Sequence, residues 1–175
     1  MSRLVIGTTW AGAPLAAAAT TRLAIDVAPE GLRLTLDAPF HGDPPPPEDG
    51  QPRGARDGLW EFEVVELFLA GPEGAYLELE FGPHGHALAL QFSSYRQRLA
   101  CFELPSRARI EDHRWTAEAT VPSERLPRGP WRGNAFAMHG LPPGRVHLAA
   151  FPAGPGRAPD FHDPNTWRAL RADGA

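Results

Sequence analysis

The chain has 175 residues, a formal net charge of -4 and a single cysteine. This length is enough for one domain with a substantial core. The negative charge argues against a nucleic-acid partner, and one cysteine excludes an internal disulfide or a multi-cysteine metal centre. No run approaches the roughly 20 apolar residues of a membrane span. Gly7, Gly12 and Pro14 interrupt the apolar N-terminal stretch, so we expect no export signal and a soluble cytoplasmic protein without membrane contact.

The first part of the chain predicts short antiparallel strands. Residues 3–8 are a first candidate. Residues 22–28 and 32–38 alternate on either side of a Pro-Glu-Gly turn, which predicts a hairpin with one buried face. Residues 40–57 include four consecutive prolines, which cannot join a β-ladder, so they predict a long surface loop of the kind that often borders a binding site.

The remainder of the chain continues in the same way. Pro and Gly separate further candidate strands at residues 60–69, 75–81, 86–93, 99–104, 107–112, 114–121, 134–139 and 146–151. Residues 122–126 predict one helical turn with Ser123 as its N-cap. About nine to eleven short strands without a long helical period predict an all-β fold, an antiparallel β-sandwich or barrel. Because no internal repeat is visible, we expect a single domain over residues 1–175.

Glu66 is a carboxylate inside the strongly apolar run 60–69, where it is costly unless something compensates it. Two explanations stay open: it reaches solvent or pairs with an arginine, or it lines a pocket and accepts hydrogen bonds from ligand hydroxyls. In a straight strand, Trp60 and Glu66 would lie roughly 20 Å apart. Both can touch one small ligand only if Trp60 lies in a curled segment, which the Asp57-Gly58 pair permits.

Two other clusters could contribute to a site. Tyr95 and Arg96 lie at the end of a predicted strand, and Arg96 is the expected partner of Glu66, either structurally or by holding a polyol between them. Phe161, His162 and Trp167 lie in a Pro-rich segment, residues 158–167. These aromatic side chains either stack on a sugar ring or close the end of the sandwich.

Motifs for catalysis and cofactors are absent from the sequence. Cys101 lies in no nucleophile motif, and no G-x-S-x-G, Walker A or dinucleotide fingerprint occurs, so we expect no enzyme. His84 and His86 have no obvious third ligand, so we expect no metal site. Met138 raises the alternative of haem, for which His41, His147 or His162 would have to supply the second axial ligand.

Five segments carry a family resemblance: DGLWEFEVVELFL (57–69), YLELEFGPHGHALALQFSSYR (76–96), WTAEATVP (115–122), RGNAFAM (132–138) and PDFHDPNTW (159–167). In this order they resemble the DOMON-like domains, which include family 9 carbohydrate-binding modules and haem-binding cytochrome domains. The short standalone bacterial members are the most similar. The resemblance implies two antiparallel sheets, one of them concave, with aromatic side chains stacked on a sugar and a glutamate and an arginine on its hydroxyls.

Trp60, Glu66 and Arg96 match those roles, while Phe151, Phe161 and Trp167 compete for the second aromatic position. The resemblance therefore predicts a non-catalytic module for a small carbohydrate or polyol, with no metal and no cofactor. The alternatives are a haem-binding electron-transfer domain and an interaction domain with a vestigial pocket. The predicted ligand contacts are Trp60, Glu66, Tyr95, Arg96, Phe161 and His162.

Overall fold

The computed structural model describes residues 2–170, which form strands and short 3-10 turns and contain no α-helix. The strands are β1 (Ser2–Ile6), β2 (Thr8–Thr9), β3 (Thr21–Ala28), β4 (Gly31–Pro39), β5 (Val64–Ala70), β6 (Tyr76–Phe81), β7 (Ala87–Ser94), β8 (Gln97–Phe102), β9 (Ser106–Glu111), β10 (Arg114–Pro122), β11 (Trp131–His139), β12 (Val146–Ala149) and β13 (Arg168–Leu170). The 3-10 turns are Ala17–Ala19, Arg53–Ala55, Leu59–Glu61, Ser123–Arg125 and Pro164–Thr166.

The strands form two antiparallel sheets. One has five strands in the order β1-β3-β4-β10-β9. The other has eight and runs β2-β12-β11-β5-β6-β7-β8, with β13 paired to β11 at one end. The prediction of an all-β antiparallel sandwich is therefore confirmed, whereas the single domain over residues 1–175 stays a prediction. Within residues 2–170, no helix is long and apolar enough to cross a membrane.

Alternate residues of the facing strands fill the core between the sheets. Leu32, Leu34 and Leu36 of β4 lie on one side, which confirms the buried face predicted for this hairpin. Leu67 of β5 and Leu79 of β6 pack from the other sheet, and both are fully buried. Since each such leucine removes its apolar surface from water, about 1.5–3 kcal/mol of burial free energy accompanies each side chain.

The eight-stranded sheet is covered on its outer face as well. Every residue of β5 and β6 is buried, and a second apolar cluster lies on the side away from the five-stranded sheet. The cover comes from Leu59 and from the C-terminal segment bearing Phe161 and Trp167. Asn134 of β11 anchors that segment, because its side-chain amide donates to the carbonyls of Phe151 (2.8 Å) and Thr166 (3.1 Å).

Several predicted boundaries are wrong. β5 begins at Val64 rather than at residue 60, because Leu59–Glu61 form a 3-10 turn that follows Gly58 in the left-handed region (φ 77°). Ser123 is the first residue of its turn, not the N-cap, and no side chain caps that turn. The strand predicted at 3–8 is split between β1 and β2, and β13 was not predicted.

Candidate functional site

The β5–β6 hairpin brings three glutamates onto one patch of the outer face. The turn between the strands sets a register in which Glu66 pairs with Glu80 and Phe68 pairs with Glu78. Residues two apart on a strand share a face, so Glu78 and Glu80 lie beside Glu66. One carboxylate oxygen from each of the three lies within 4.8 Å of the other two.

These carboxylates are buried and poorly compensated. Glu66 is 1% exposed, Glu78 5% and Glu80 0%. Among residues 2–170, both oxygens of Glu80 and the Oε1 of Glu66 have no hydrogen-bond partner. Burial, reinforced by repulsion from neighbouring carboxylates, raises the pKa of Glu66 and Glu80 well above the ordinary range. Burial also raises the pKa of Glu78 to about 7.

A cavity of about 500 Å³ opens over this patch. Glu66 and Glu78 lie in its wall. Aromatic and basic side chains make up much of the remaining lining: Trp60, Phe68, Phe92, Phe161, Arg96, Arg98, Arg145, His147 and His162. The cavity therefore combines flat apolar surfaces with hydrogen-bond acceptors and donors.

Trp60 reaches the cavity because the chain curls before β5. Trp60 is 38% exposed, and its backbone is held by Arg145. The Arg145 guanidinium donates to the carbonyls of Trp60, Glu61 (3.1 Å), Phe62 (2.8 Å) and Gly140 (3.0 Å). The curl that the sequence required is present, and Trp60 and Glu66 line one cavity.

Arg96 lines the cavity, but the expected ion pair with Glu66 is wrong. Arg96 donates to the Asp160 carboxylate at 2.8 Å, and the Tyr95 hydroxyl donates to the same carboxylate at 2.7 Å. Because Asp160 is exposed enough to be solvated, it is the cheaper partner for a guanidinium that is itself half exposed. Tyr95 lies on the adjoining surface beside Ser94 and Arg132 rather than over the carboxylates.

The C-terminal segment forms the opposite wall. Phe161 lines the cavity, yet one face of its ring stacks on Phe136 with centroids 4.0 Å apart. Trp167 is buried against Phe68 and donates its indole N–H to the Phe161 carbonyl at 3.1 Å. Trp167 therefore closes the end of the sandwich, which is one of the two roles that the sequence left open for these aromatic side chains. Phe161, in contrast, also lines the cavity.

His162 connects this wall to the carboxylates. Its Nδ1 lies 2.7 Å from the Tyr76 hydroxyl, and its Nε2 lies 3.8 Å from Glu78 Oε2. Burial, with a contribution from the charge of Arg96, lowers the pKa of His162 to about 4. The imidazole is therefore neutral at neutral pH, so it does not neutralise Glu78.

Sequence reasoning missed Glu78, Glu80, Arg98 and Arg145. The alternation of residues 75–81 does place Glu78 and Glu80 on one face. In a hairpin with its turn at residues 71–75, Glu66 and Glu80 are each seven residues from the middle of the turn and therefore face each other. This pairing could have been predicted from the sequence. Nothing in the sequence marks Arg145, whose role depends on a contact with a turn more than eighty positions away.

Met138 and His147 are poorly placed as a pair of axial haem ligands. Met138 and His147 both line the cavity, but they are register partners on β11 and β12. Cross-strand partners on one face have Cβ atoms about 4.5–5.5 Å apart, whereas axial ligands approach iron from opposite sides of the macrocycle. His41 stacks on His139 (centroids 3.5 Å apart), and His84 and His86 line a different cavity with Arg53 and Arg56.

Comparison with known proteins gives one clear group of relatives. No family model matches the chain. UPF0462 protein C4orf33 homologues from Danio rerio and Rattus norvegicus are each 37% identical, over 76% and 81% of this chain and 71% and 74% of their own length. The human UPF0462 protein C4orf33 is 36% identical over 75% of this chain and 69% of its own.

A solved structure shares the fold. It is a Bacteroides uniformis protein assigned provisionally to carbohydrate binding, with a TM-score of 0.56 and 16% identity over 85% of this chain and 75% of that one. The interpretation as a standalone bacterial DOMON-like protein is wrong, because the relatives that are 36–37% identical over most of this chain are vertebrate UPF0462 proteins. The quoted segments reflect alternation and turn glycines, which unrelated β-sandwiches also have.

Proposed function

The chain belongs to the UPF0462 family, and we propose that it is a non-catalytic module that binds a small carbohydrate or polyol in the cavity over β5 and β6. One observation carries this proposal: Trp60 and Glu66, a flat aromatic ring and a carboxylate, line the same space of about 500 Å³. That volume lies within the roughly 300–1,000 Å³ of small-molecule sites.

The chemistry of the wall suits such a ligand. A sugar ring has an apolar face and a rim of hydroxyls, and the partly exposed ring of Trp60 offers a matching flat surface. Glu66 and Glu78 supply acceptors, and Arg96 and Arg98 supply guanidinium donors from the same cavity. The guanidinium donors strengthen such contacts, because charge-assisted hydrogen bonds are about twice as strong as neutral ones.

The shared fold adds support without assigning a ligand. The Bacteroides uniformis protein has the same fold at 16% identity, and its assigned role concerns that protein. The open cavity favours a functional pocket over a vestigial one. The cross-strand placement of Met138 and His147 gives less support to the haem-binding alternative.

The sequence favours binding over catalysis, because it contains no nucleophile motif, Walker A motif or dinucleotide fingerprint. The net charge of -4 makes a nucleic acid an unsuitable ligand for the same cavity. The cytoplasmic location stays a prediction.

A glycan array followed by calorimetric titration of the hits tests the proposal. We expect Trp60→Ala to weaken binding of a hit at least tenfold and Trp60→Phe to retain most of it. The melting temperature should change by less than about 2 °C, because Arg145 contacts the backbone of the turn rather than the ring. Leu99→Ala, which truncates another exposed apolar side chain, is the matched control and should bind normally.

Three results would contradict the proposal. If neither the glycan array nor a panel of polyols gave a hit, the proposal that the ligand is a carbohydrate or polyol would be wrong. Unchanged affinity in Trp60→Ala would remove the stacking role. A fall in melting temperature of more than about 5 °C in that variant would make Trp60 a core residue.

A further inference from the structure

We propose that Glu66, Glu78 and Glu80 bind a hard divalent cation of calcium's size at the floor of the cavity. This inference goes beyond the proposed function, because it rests on the three carboxylates and holds whichever molecule binds above them. The sequence alone predicted no metal site, since a search for histidine and cysteine spacing does not detect glutamates on two paired strands.

The backbone fixes the three side chains independently of one another. Glu66 lies on β5, Glu80 is its direct partner on β6, and Glu78 is two residues away on the same face. One oxygen of each lies within 4.8 Å of the others. Opposed ligands on a cation with metal–oxygen bonds of 2.3–2.6 Å are about 4.6–5.2 Å apart, so the oxygens can enclose calcium with small side-chain adjustments.

The second observation is that three carboxylate oxygens of the cluster lack partners. Both oxygens of Glu80, a fully buried residue, and Oε1 of Glu66 accept no hydrogen bond from any group within residues 2–170. Buried carboxylates are usually paired, hydrogen-bonded or coordinated to a metal. Three of them sharing one patch would repel one another, and a divalent cation removes both the repulsion and the missing contacts.

The arginines nearby are engaged elsewhere. Arg96 pairs with Asp160 at 2.8 Å and Arg98 pairs with Asp57 at 2.9 Å. Arg145 donates to four backbone carbonyls. In the described part of the chain, none of the three forms a salt bridge with the glutamates, so the charge of the patch is not neutralised by direct contact.

The donor set selects the class of ion. Three carboxylates offer only oxygen, which suits calcium, magnesium or manganese. Zinc favours nitrogen and sulfur, and the nearest imidazole nitrogen, Nε2 of His162, is directed toward Glu78 at 3.8 Å. Glu66 and Glu78 border the cavity, which gives the ion a path inward. If the proposed polyol binds there, its hydroxyls would complete the coordination sphere; this extension alone rests on the proposed function.

Calorimetric titration of chelator-treated protein with CaCl₂ tests the site, together with the melting temperature measured in the same buffers. We expect one equivalent of Ca²⁺ to bind and to raise the melting temperature. Glu80→Gln should weaken Ca²⁺ binding at least tenfold without unfolding the protein, because it removes a charge and keeps the volume. Glu118→Gln, an exposed glutamate on β10, is the matched control and should bind like the wild type.

The proposal is overturned if Ca²⁺ at about 10 mM, above the range of weak protein sites, gives neither heat nor a shift in melting temperature. It is also overturned if Glu80→Gln binds as tightly as the wild type. These measurements contain no glycan, so a failed array would leave their result intact. Titrating an array hit with and without Ca²⁺ then tests the coordination of ligand hydroxyls separately.

Discussion

The two faces of strands β5 and β6 are both buried but differ in composition. Odd-numbered residues of β5, such as Leu67, pack against the other sheet in an entirely apolar core. Even-numbered residues lie under the cavity, where Glu66 and Phe68 are neighbours. The same strand thus contributes leucines to the core on one side and a carboxylate to the cavity wall on the other. Burial by itself does not identify a hydrophobic core, because a buried carboxylate carries a desolvation cost that a buried leucine does not.

The largest loss of stability should come from truncating a leucine on the apolar face of the sheet. Leu79→Ala leaves a cavity in a fully buried position of the core, and we expect it to lower the free energy of unfolding by about 4 kcal/mol. Urea denaturation followed by tryptophan fluorescence measures the change. A loss below about 1 kcal/mol would mean that this face is not close-packed.

The carboxylate face should make stability depend on pH in an unusual direction. Burial raises the pKa of Glu78 from an ordinary 4.5 to about 7, so the folded protein binds its proton more tightly than the unfolded chain does. This contribution is fully present below about pH 4.5 and is lost as the pH rises to about 7. At about 1.4 kcal/mol per unit, it amounts to about 3 kcal/mol.

Melting temperatures in chelator-containing buffers between pH 5 and pH 8 test this dependence. We expect a steady fall with rising pH, and a flatter profile in Glu78→Gln. Greater stability at pH 8 than at pH 5 would show that the carboxylates are compensated in the folded state.

A smaller change should follow from removing one buried charge. In metal-free protein at pH 8, Glu80→Gln removes mutual repulsion among the glutamates, and we expect the free energy of unfolding to rise by about 1 kcal/mol. Glu118→Gln should stay within about 0.5 kcal/mol of the wild type. If Glu80→Gln destabilised the metal-free protein, Glu80 would have a structural role that its missing hydrogen bonds do not show.

The smallest effect belongs to the rim of the cavity. Arg96 and Asp160 form a partly exposed pair, so Arg96→Ala should change the free energy of unfolding by less than about 1 kcal/mol. Arg33→Ala, which breaks the exposed pair with Glu30, is the matched control. Arg96→Ala alone should weaken binding of an array hit, and equal affinity in both variants would place Arg96 outside the site.

The sequence predicts the fold well because period-two alternation identifies the buried face and Gly or Pro marks the turns. It misplaces the start of β5 because residues 60–63 continue the apolar pattern although the chain turns at Leu59–Glu61. The Asp57-Gly58 pair is the local sign of that turn. Element types therefore follow from local pattern, whereas this boundary depends on the left-handed conformation of a single glycine.

The site is predictable only in part. Trp60, Glu66, Arg96, Phe161 and His162 do line one cavity, although the partner of Arg96 is wrong because Asp160 is brought near it by the C-terminal segment. Glu78 and Glu80 alternate with leucines as solvent-facing residues do. The turn at Leu59 and the C-terminal segment cover this face of the sheet, and no local pattern reports that long-range packing.

The hydrogen bonds from Arg145 to the backbone of residues 60–62 have a thermodynamic consequence. These bonds to the carbonyls of Trp60, Glu61 and Phe62 tie the turn to the segment that joins β11 and β12. The backbone of the turn is thus ordered without a ligand, and a molecule that bound in the cavity would not have to order that loop. Such preorganisation lets a shallow set of contacts bind more tightly than their area alone would allow.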